Sequence, residues 1–202
     1  MSLTDILHPT RDDARTEELL GRVREKLTEL PESYRTLSLS QSYLNDSLFN
    51  LRKTLVDGAL DLTTKHLIAI AVASAAGSAA LVESRALDAR ADGVGDDYIV
   101  EALAVAASMT TFNTFYTFGH MAGAEYDALR PGLKLSVFLR PNVMTKLQVE
   151  LVGSIVSTVN GCQSCVRGHV ATCRELGASV EQIEEAIRIG SVVAGIAAFG
   201  GR

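Results

Sequence analysis

Residues 62–116 lie over residues 146–200 without a gap when the chain is displaced against itself by 84 positions. About ten pairs are then identical, among them Gly77/Gly161, Arg90/Arg174, Gly93/Gly177 and Glu101/Glu185. Most other pairs set an apolar residue against an apolar one. A segment of this length that recurs is one supersecondary unit used twice, so the fold must be one that stacks two copies. Each copy reads helix, glycine turn, helix, glycine turn, helix. In the second copy the helices are expected at Thr145–Val159, Cys162–Leu176 and Val180–Ala198. The glycines fall where left-handed backbone ends a helix, and Asp97 and Glu181 begin the helix that follows.

Composition agrees with packed helices. The chain has 202 residues, 47% of them hydrophobic, with four prolines and no tryptophan. The expectation is an all-α chain forming a single domain. Residues 1–30 form an N-terminal helical extension, 62–116 the first unit and 145–200 the second. Thr10 is expected to cap a helix to about Leu30, with Leu19, Leu20, Val23, Leu27 and Leu30 on one face. Pro31 ends it. Ser33–Leu51 gives mixed signals, with Leu37, Leu39 and Leu44 as core candidates. Asn45 or Asp46 is expected to cap a further helix to about Asp57, closed by Gly58.

Several function classes are excluded. The net charge is −5 and the pI about 5.4, with no basic cluster of the kind nucleic acid requires. No apolar run reaches the length of about eighteen residues that spans a membrane. Three cysteines do not make a secreted disulfide framework. A cytoplasmic protein with one redox-active pair fits them better.

The chemistry is concentrated in the second copy. Cys162 and Cys165 form a Cys-x-x-Cys pair, His169 follows four residues after Cys165, and Glu150 precedes Cys162 by twelve. Asn160-Gly161 ends one helix, so Cys162 should fall in the first turn of the next, where unpaired N–H groups favour a thiolate. One turn further, Cys165 lies within disulfide reach. His169 shares a helix face with Cys165 and can take or give its proton. In an antiparallel hairpin, Glu150 and His169 lie at similar depth, roughly 15 and 12 Å from the turn at 1.5 Å per residue. A glutamate there would orient the imidazole as in a nucleophile–base–orienter triad. The first copy has Ser78, Leu81, Arg85 and His66 at these positions. The scaffold therefore does not depend on the cysteines. Zinc held by Cys162, Cys165, His169 and Cys173 is the competing reading. It fails because one helix spreads those four over roughly 16 Å of rise. Cys173 reads as a small buried hydrophobe. His120 reads as a surface or core histidine that could also line the site. Tyr116, Tyr126 and Phe138 could form an apolar substrate wall.

At these residues the chain resembles the AhpD alkyl hydroperoxide reductases of the carboxymuconolactone decarboxylase-like superfamily. The pattern Glu-x11-Cys-x-x-Cys-x3-His is met by Glu150, Cys162, Cys165 and His169. Phe115-Tyr116, Tyr126 to Leu133, Asn160-Gly161-Cys162 and Leu176-Gly177 carry the resemblance further. It covers roughly residues 30–200. It implies an AhpD-like helical fold, a homotrimer, and an antioxidant peroxidase with no bound cofactor. Electrons would come from dihydrolipoyl groups on an acyltransferase partner, and an AhpC-type peroxiredoxin would be a second partner. It implies that Cys165 attacks the peroxide and becomes the sulfenic acid. Cys162 then resolves it to a Cys162–Cys165 disulfide, while Glu150 and His169 move the proton. Ser164 departs from the pattern, since well-known members carry a histidine just before the second cysteine. Two other functions remain open on the same scaffold: a redox sensor or thiol–disulfide adaptor without turnover, and a decarboxylase-like enzyme that needs no dithiol.

Overall fold

A computed structural model describes residues 14–200 apart from 28, 57 and 127–129. The fold is all-α. The described residues form α1 (Ala14–Arg24), α2 (Glu32–Leu37), α3 (Gln41–Leu55), α4 (Leu62–Ala75), α5 (Ala79–Ala91), α6 (Asp96–Ala122), α7 (Ser136–Leu139), α8 (Lys146–Val159), α9 (Gln163–Glu175) and α10 (Val180–Gly200). A short 3-10 turn, Ala124–Tyr126, follows α6. Among the described residues no helix is long and apolar enough to cross a membrane.

The repeat is physical. Helices α4, α5 and α6 begin 84 positions before α8, α9 and α10, and the first two pairs also end 84 positions apart. The turns match in conformation: φ is 78° at Gly77 and 73° at Gly161, 85° at Gly93 and 89° at Gly177. Each of these glycines lets the next N–H fold back onto the last helical turn. Ser78 N donates to Ala73 O at 3.1 Å, and Cys162 N to Ser157 O at 3.0 Å. These are the six-to-one bonds of a left-handed helix terminus.

Helices α4 and α8 pack against each other at the centre, each flanked by the later helices of both units. Every residue from Thr64 to Ala73 and from Val149 to Ser157 is buried. A helix apolar on all sides is stable only when enclosed in this way. The two units touch near their pseudo-symmetry axis, where Gln148 Nε2 donates to Thr64 Oγ1 at 2.9 Å, two residues 84 positions apart.

The N-terminal third departs from expectation in its boundaries. Helix α1 buries Leu19, Leu20 and Val23 but stops at Arg24. Leu27 enters the core from the turn beyond it, beside Lys26, whose Nζ lies 2.6 Å from Asp92. Helical backbone bonds continue for a turn past Arg24, with Leu27 N donating to Val23 O at 3.0 Å, before the chain leaves the helix short of the predicted end. Thr10, the expected cap, and Asp57 lie outside the described residues. Helix α3 starts earlier than Asn45 or Asp46 would place it. Ser40 caps it by accepting from Tyr43 N at 3.4 Å, which brings Tyr43 against Phe199 and leaves Leu44 fully buried. Gly58 does not close α3, which ends at Leu55. Its missing side chain makes room for Glu185, whose Oε1 would lie 2.1 Å from a Cβ there.

Candidate active site

Helices α8 and α9 form the antiparallel hairpin expected from the turn at Gly161. Helix α8 starts in a complete capping box: Thr145 accepts from Gln148 N, and the Gln148 side chain accepts from Thr145 N. Its entry is braced from the other unit. Both Glu101 carboxylate oxygens accept backbone N–H groups from Asn142, Val143 and Met144. Cys162 sits at the N-cap of α9, one position before its first turn, and Cys165 lies within that turn.

The structure joins Cys162 and Cys165 as a disulfide with 5.3 Å between Cα atoms. The two sulfurs differ in access. Cys162 is 1% exposed, whereas Cys165 is half-buried and lines a cavity of about 420 Å³. Glu150, His169 and Ser164 line the same cavity. Glu150 Oε2 lies 2.7 Å from His169 Nδ1, so residues matched by depth along the hairpin do meet.

Glu150 is almost fully buried and has a second partner, Lys146, whose Nζ is 2.8 Å from Oε1. Burial alone would raise its pKa. The hydrogen bonds from His169 and Lys146 outweigh that and hold the carboxyl below its usual range. An ionised Glu150 only accepts, so His169 Nδ1 donates and Nε2 is left to exchange a proton. Phe138 packs beside the imidazole with ring centroids 5.2 Å apart, and the Lys146 ammonium sits 4.4 Å from the Phe138 centroid. Gly153, one turn along from Glu150, makes this stack possible. A Cβ there would lie 3.1 Å from Phe138 Cε2 and 3.3 Å from His169 Cε1.

Tyr116 and Phe138 line the cavity as expected, together with Met109, Phe112 and Leu135. Tyr126 does not. It packs edge-on against Phe118, centroids 5.8 Å apart, because the chain turns sharply after α6. Asn113 adds a polar edge: it donates to Ser157 Oγ and accepts from Asn160 Nδ2, both at 3.0 Å, tying α6 to the end of α8. Lys146 was missed from sequence, although its position four residues before Glu150 on one helix face was a readable signal. Cys173 is fully buried and unbonded. Burial, and then the charge on Glu150, pushes its thiol up to about 11.

The corresponding positions of the first unit are spent on internal pairing. Arg85, in place of His169, is fully buried, with Nη2 2.8 Å from Asp88 and a hydrogen bond to Tyr34. His66, in place of Glu150, bonds Asp92 through Nε2 at 2.8 Å. Only one of the two hairpins therefore presents thiols to a cavity.

The sequence pattern of the carboxymuconolactone decarboxylase family matches this chain twice, at residues 42–117 and 125–200, once over each unit. The chain belongs to that family. Among similar proteins is an alkyl hydroperoxide reductase AhpD from Anaeromyxobacter dehalogenans. It is 37% identical over 149 residues, covering 73% of this chain and 79% of the relative. An AhpD from Gluconacetobacter diazotrophicus is 35% identical over 157 residues, 77% of this chain and 85% of its own. One from Rhodococcus erythropolis is 40% identical over 129 residues, 63% and 70% of the two chains.

Proposed function

We propose that the protein is a thiol peroxidase that reduces hydrogen peroxide and alkyl hydroperoxides through Cys162 and Cys165. The observation that carries this reading is the grouping of Cys165, His169 and Glu150 around one largely apolar cavity, with Cys162 in bonding contact behind. The names of the relatives support the same reaction class.

In this reading the Cys165 thiolate attacks the distal peroxide oxygen. The O–O bond breaks, Cys165 becomes the sulfenic acid, and the alkoxide takes a proton from His169 Nε2. Glu150 stabilises the imidazolium that precedes this step and fixes its tautomer. Cys162 then attacks the sulfenic sulfur, water leaves, and the disulfide forms before the sulfur can be oxidised further. Two electrons from a dithiol restore the pair. Dihydrolipoyl groups of an acyltransferase are the proposed donors, since an apolar cavity beside the accessible Cys165 suits a thiol on a short aliphatic arm. An AhpC-type peroxiredoxin as a second acceptor, a homotrimeric assembly and a cytoplasmic location belong to the same proposal.

The deciding experiment follows peroxide loss with dihydrolipoamide as sole reductant, with the Cys162–Cys165 bond tracked by intact mass. Turnover that disappears in Cys165→Ser is the expected result. A disulfide that forms and is reduced without peroxide turnover would replace the peroxidase with a thiol–disulfide adaptor.

A further inference from the structure

Cys162 poses a problem that the Glu150–His169 pair does not solve. The residue is 1% exposed, yet its sulfur must lose a proton when it closes the disulfide and regain one when the disulfide opens. The Glu150–His169 pair serves the cavity that Cys165 faces. Cys162 Sγ itself lies 3.7 Å from Ser164 Oγ, at the edge of that cavity, and Ser164 Oγ lies 2.6 Å from His120 Nε2. Ser164 and His120 are both exposed. The three side chains thus run from a buried sulfur through a hydroxyl, which both donates and accepts, to an imidazole at the surface. Two elements build the chain: Ser164 is in the first turn of α9, and His120 reaches it from the last turn of α6.

We propose that Ser164 and His120 form a second proton relay, dedicated to Cys162. This rests on the dithiol chemistry proposed above. Ser164 is the catalytic contact, and His120 is the positioning residue behind it. In the reductive half-reaction an external dithiol attacks Cys165 Sγ, the sulfur with access to the cavity. A mixed disulfide forms at Cys165, the Cys165–Cys162 bond breaks, and Cys162 leaves as a thiolate. His120, as imidazolium, passes a proton through the Ser164 hydroxyl to that thiolate. The second thiol of the dithiol then displaces Cys165 and carries away both oxidising equivalents as its own disulfide. In the oxidative half-reaction the path runs backwards. The Cys162 thiol yields its proton through Ser164 to His120 as it attacks the sulfenic sulfur, and the departing hydroxide takes a proton from His169, recharged from solvent in the cavity, and leaves as water. Each thiol then has its own proton route, Glu150–His169 for Cys165 and His120–Ser164 for Cys162. The serine that departs from the family pattern becomes a connector to a histidine supplied by another helix.

The test uses cleavage of the Cys162–Cys165 disulfide by dithiothreitol, followed by rapid acid quench and mass. It needs no peroxide, so it is independent of the peroxidase reading. Ser164→Ala is expected to slow cleavage by about 10–100-fold, the low end of general acid catalysis for a relay with solvent nearby. Ser164→Thr, which keeps the hydroxyl, is expected to restore most of the rate. His120→Gln keeps a hydrogen-bonding group but cannot deliver a proton, so it should fall with Ser164→Ala. In turnover with dihydrolipoamide kcat should fall, with kcat/KM for the peroxide unchanged, because the peroxide bond breaks before Cys162 acts. Cleavage at the wild-type rate in Ser164→Ala would overturn the relay, as would a Ser164→Thr variant as slow as Ser164→Ala. A wild type that consumes no peroxide while Ser164→Ala still slows cleavage would remove the peroxidase and leave the relay standing.

Discussion

Glu101 and Glu185, 84 positions apart, each hold the chain where it enters the first helix of the other unit. Glu101 accepts from Val143 N at 2.8 Å and Met144 N at 2.7 Å before α8, and Glu185 accepts from Leu60 N at 2.8 Å before α4. This reciprocal exchange clamps the units together and fixes the register of the helix that carries Glu150. The two clamps differ in one respect. Glu185 also pairs with Lys65, which is 1% exposed, at 2.7 Å. Removing Glu185 leaves that buried ammonium without a counter-charge, with only its hydrogen bond to Val56 O, so Glu185→Ala should cost about 3–5 kcal/mol, the range for breaking a buried pair. Glu101→Ala leaves only N–H groups unpartnered and should cost less, about 2–3 kcal/mol. Denaturant midpoints of the two variants check the order. A Glu101→Ala protein less stable than Glu185→Ala would contradict it.

The same carboxylates set the acid limit of the fold. Burial would raise Glu101 and Glu185, but their backbone and lysine hydrogen bonds prevail and hold both below the usual range. A carboxyl lowered in the folded state stabilises it fully above the unfolded value of about 4.3, and that contribution is lost as pH falls through the folded value. Melting temperature should therefore be flat near neutrality and drop steeply below about pH 4. Glu101→Gln cannot titrate, so its curve should start lower and fall less. An acid limb of unchanged depth in that variant would rule out Glu101 as a contributor.

Gly153 separates stability from chemistry. Alanine there gains helix propensity of about 1 kcal/mol. Its methyl, however, would meet Phe138 Cε2 at 3.1 Å and His169 Cε1 at 3.3 Å, so each ring must give by a few tenths of an ångström. Gly153→Ala should keep a melting temperature near wild type and lose turnover by about tenfold or more, since displacement of a catalytic group by an ångström can cost about 100-fold. A fully active Gly153→Ala protein would mean that the Glu150–His169 geometry is not limiting.

Glu150→Gln tests the orientation of the imidazole directly. Glutamine fills the same space and can still bond His169 Nδ1 or Lys146, but it carries no charge to balance an imidazolium. Turnover should fall by about 100- to 10,000-fold, the span of positioned acid–base catalysis. Cleavage of the disulfide by dithiothreitol should be far less affected, because that step uses Cys162 as leaving group.

Much of this was legible in sequence because the repeat carries its own register. Once Gly77 overlies Gly161, the helix ends, the left-handed glycines and the depth match of Glu150 with His169 follow from counting. The misreadings came from long-range contacts with no periodic signature. Lys26 pairs with Asp92 just beyond the end of α1, and Glu185 claims the space at Gly58. Tyr43 on Phe199 favours Ser40 over Asn45 as a cap. His120 was readable as a histidine near a helix end, but its meeting with Ser164 depends on how α6 crosses α9, which spacing along the chain does not encode.

Cys173 gives the last prediction, and it distinguishes the reactive thiols from the inert one. It shares a helix with Cys165 and lies two turns away, yet it is fully buried, and its thiol is pushed up to about 11 by burial and by the Glu150 charge. At pH 8 only about one part in a thousand of such a thiol is thiolate, the form that reacts with alkylating agents. The fully reduced native protein, treated briefly with iodoacetamide at that pH, should therefore take up label at Cys165, which faces the cavity, and none at Cys173. After unfolding in guanidinium all three should react. Peptide mass mapping reads the sites. Label on Cys173 in the folded protein would place it in contact with solvent and remove it from the core. Cys173→Ser, by contrast, should leave turnover unchanged and lower stability by about 1–3 kcal/mol, because it puts a hydroxyl into the hydrophobic cluster that Cys173 belongs to.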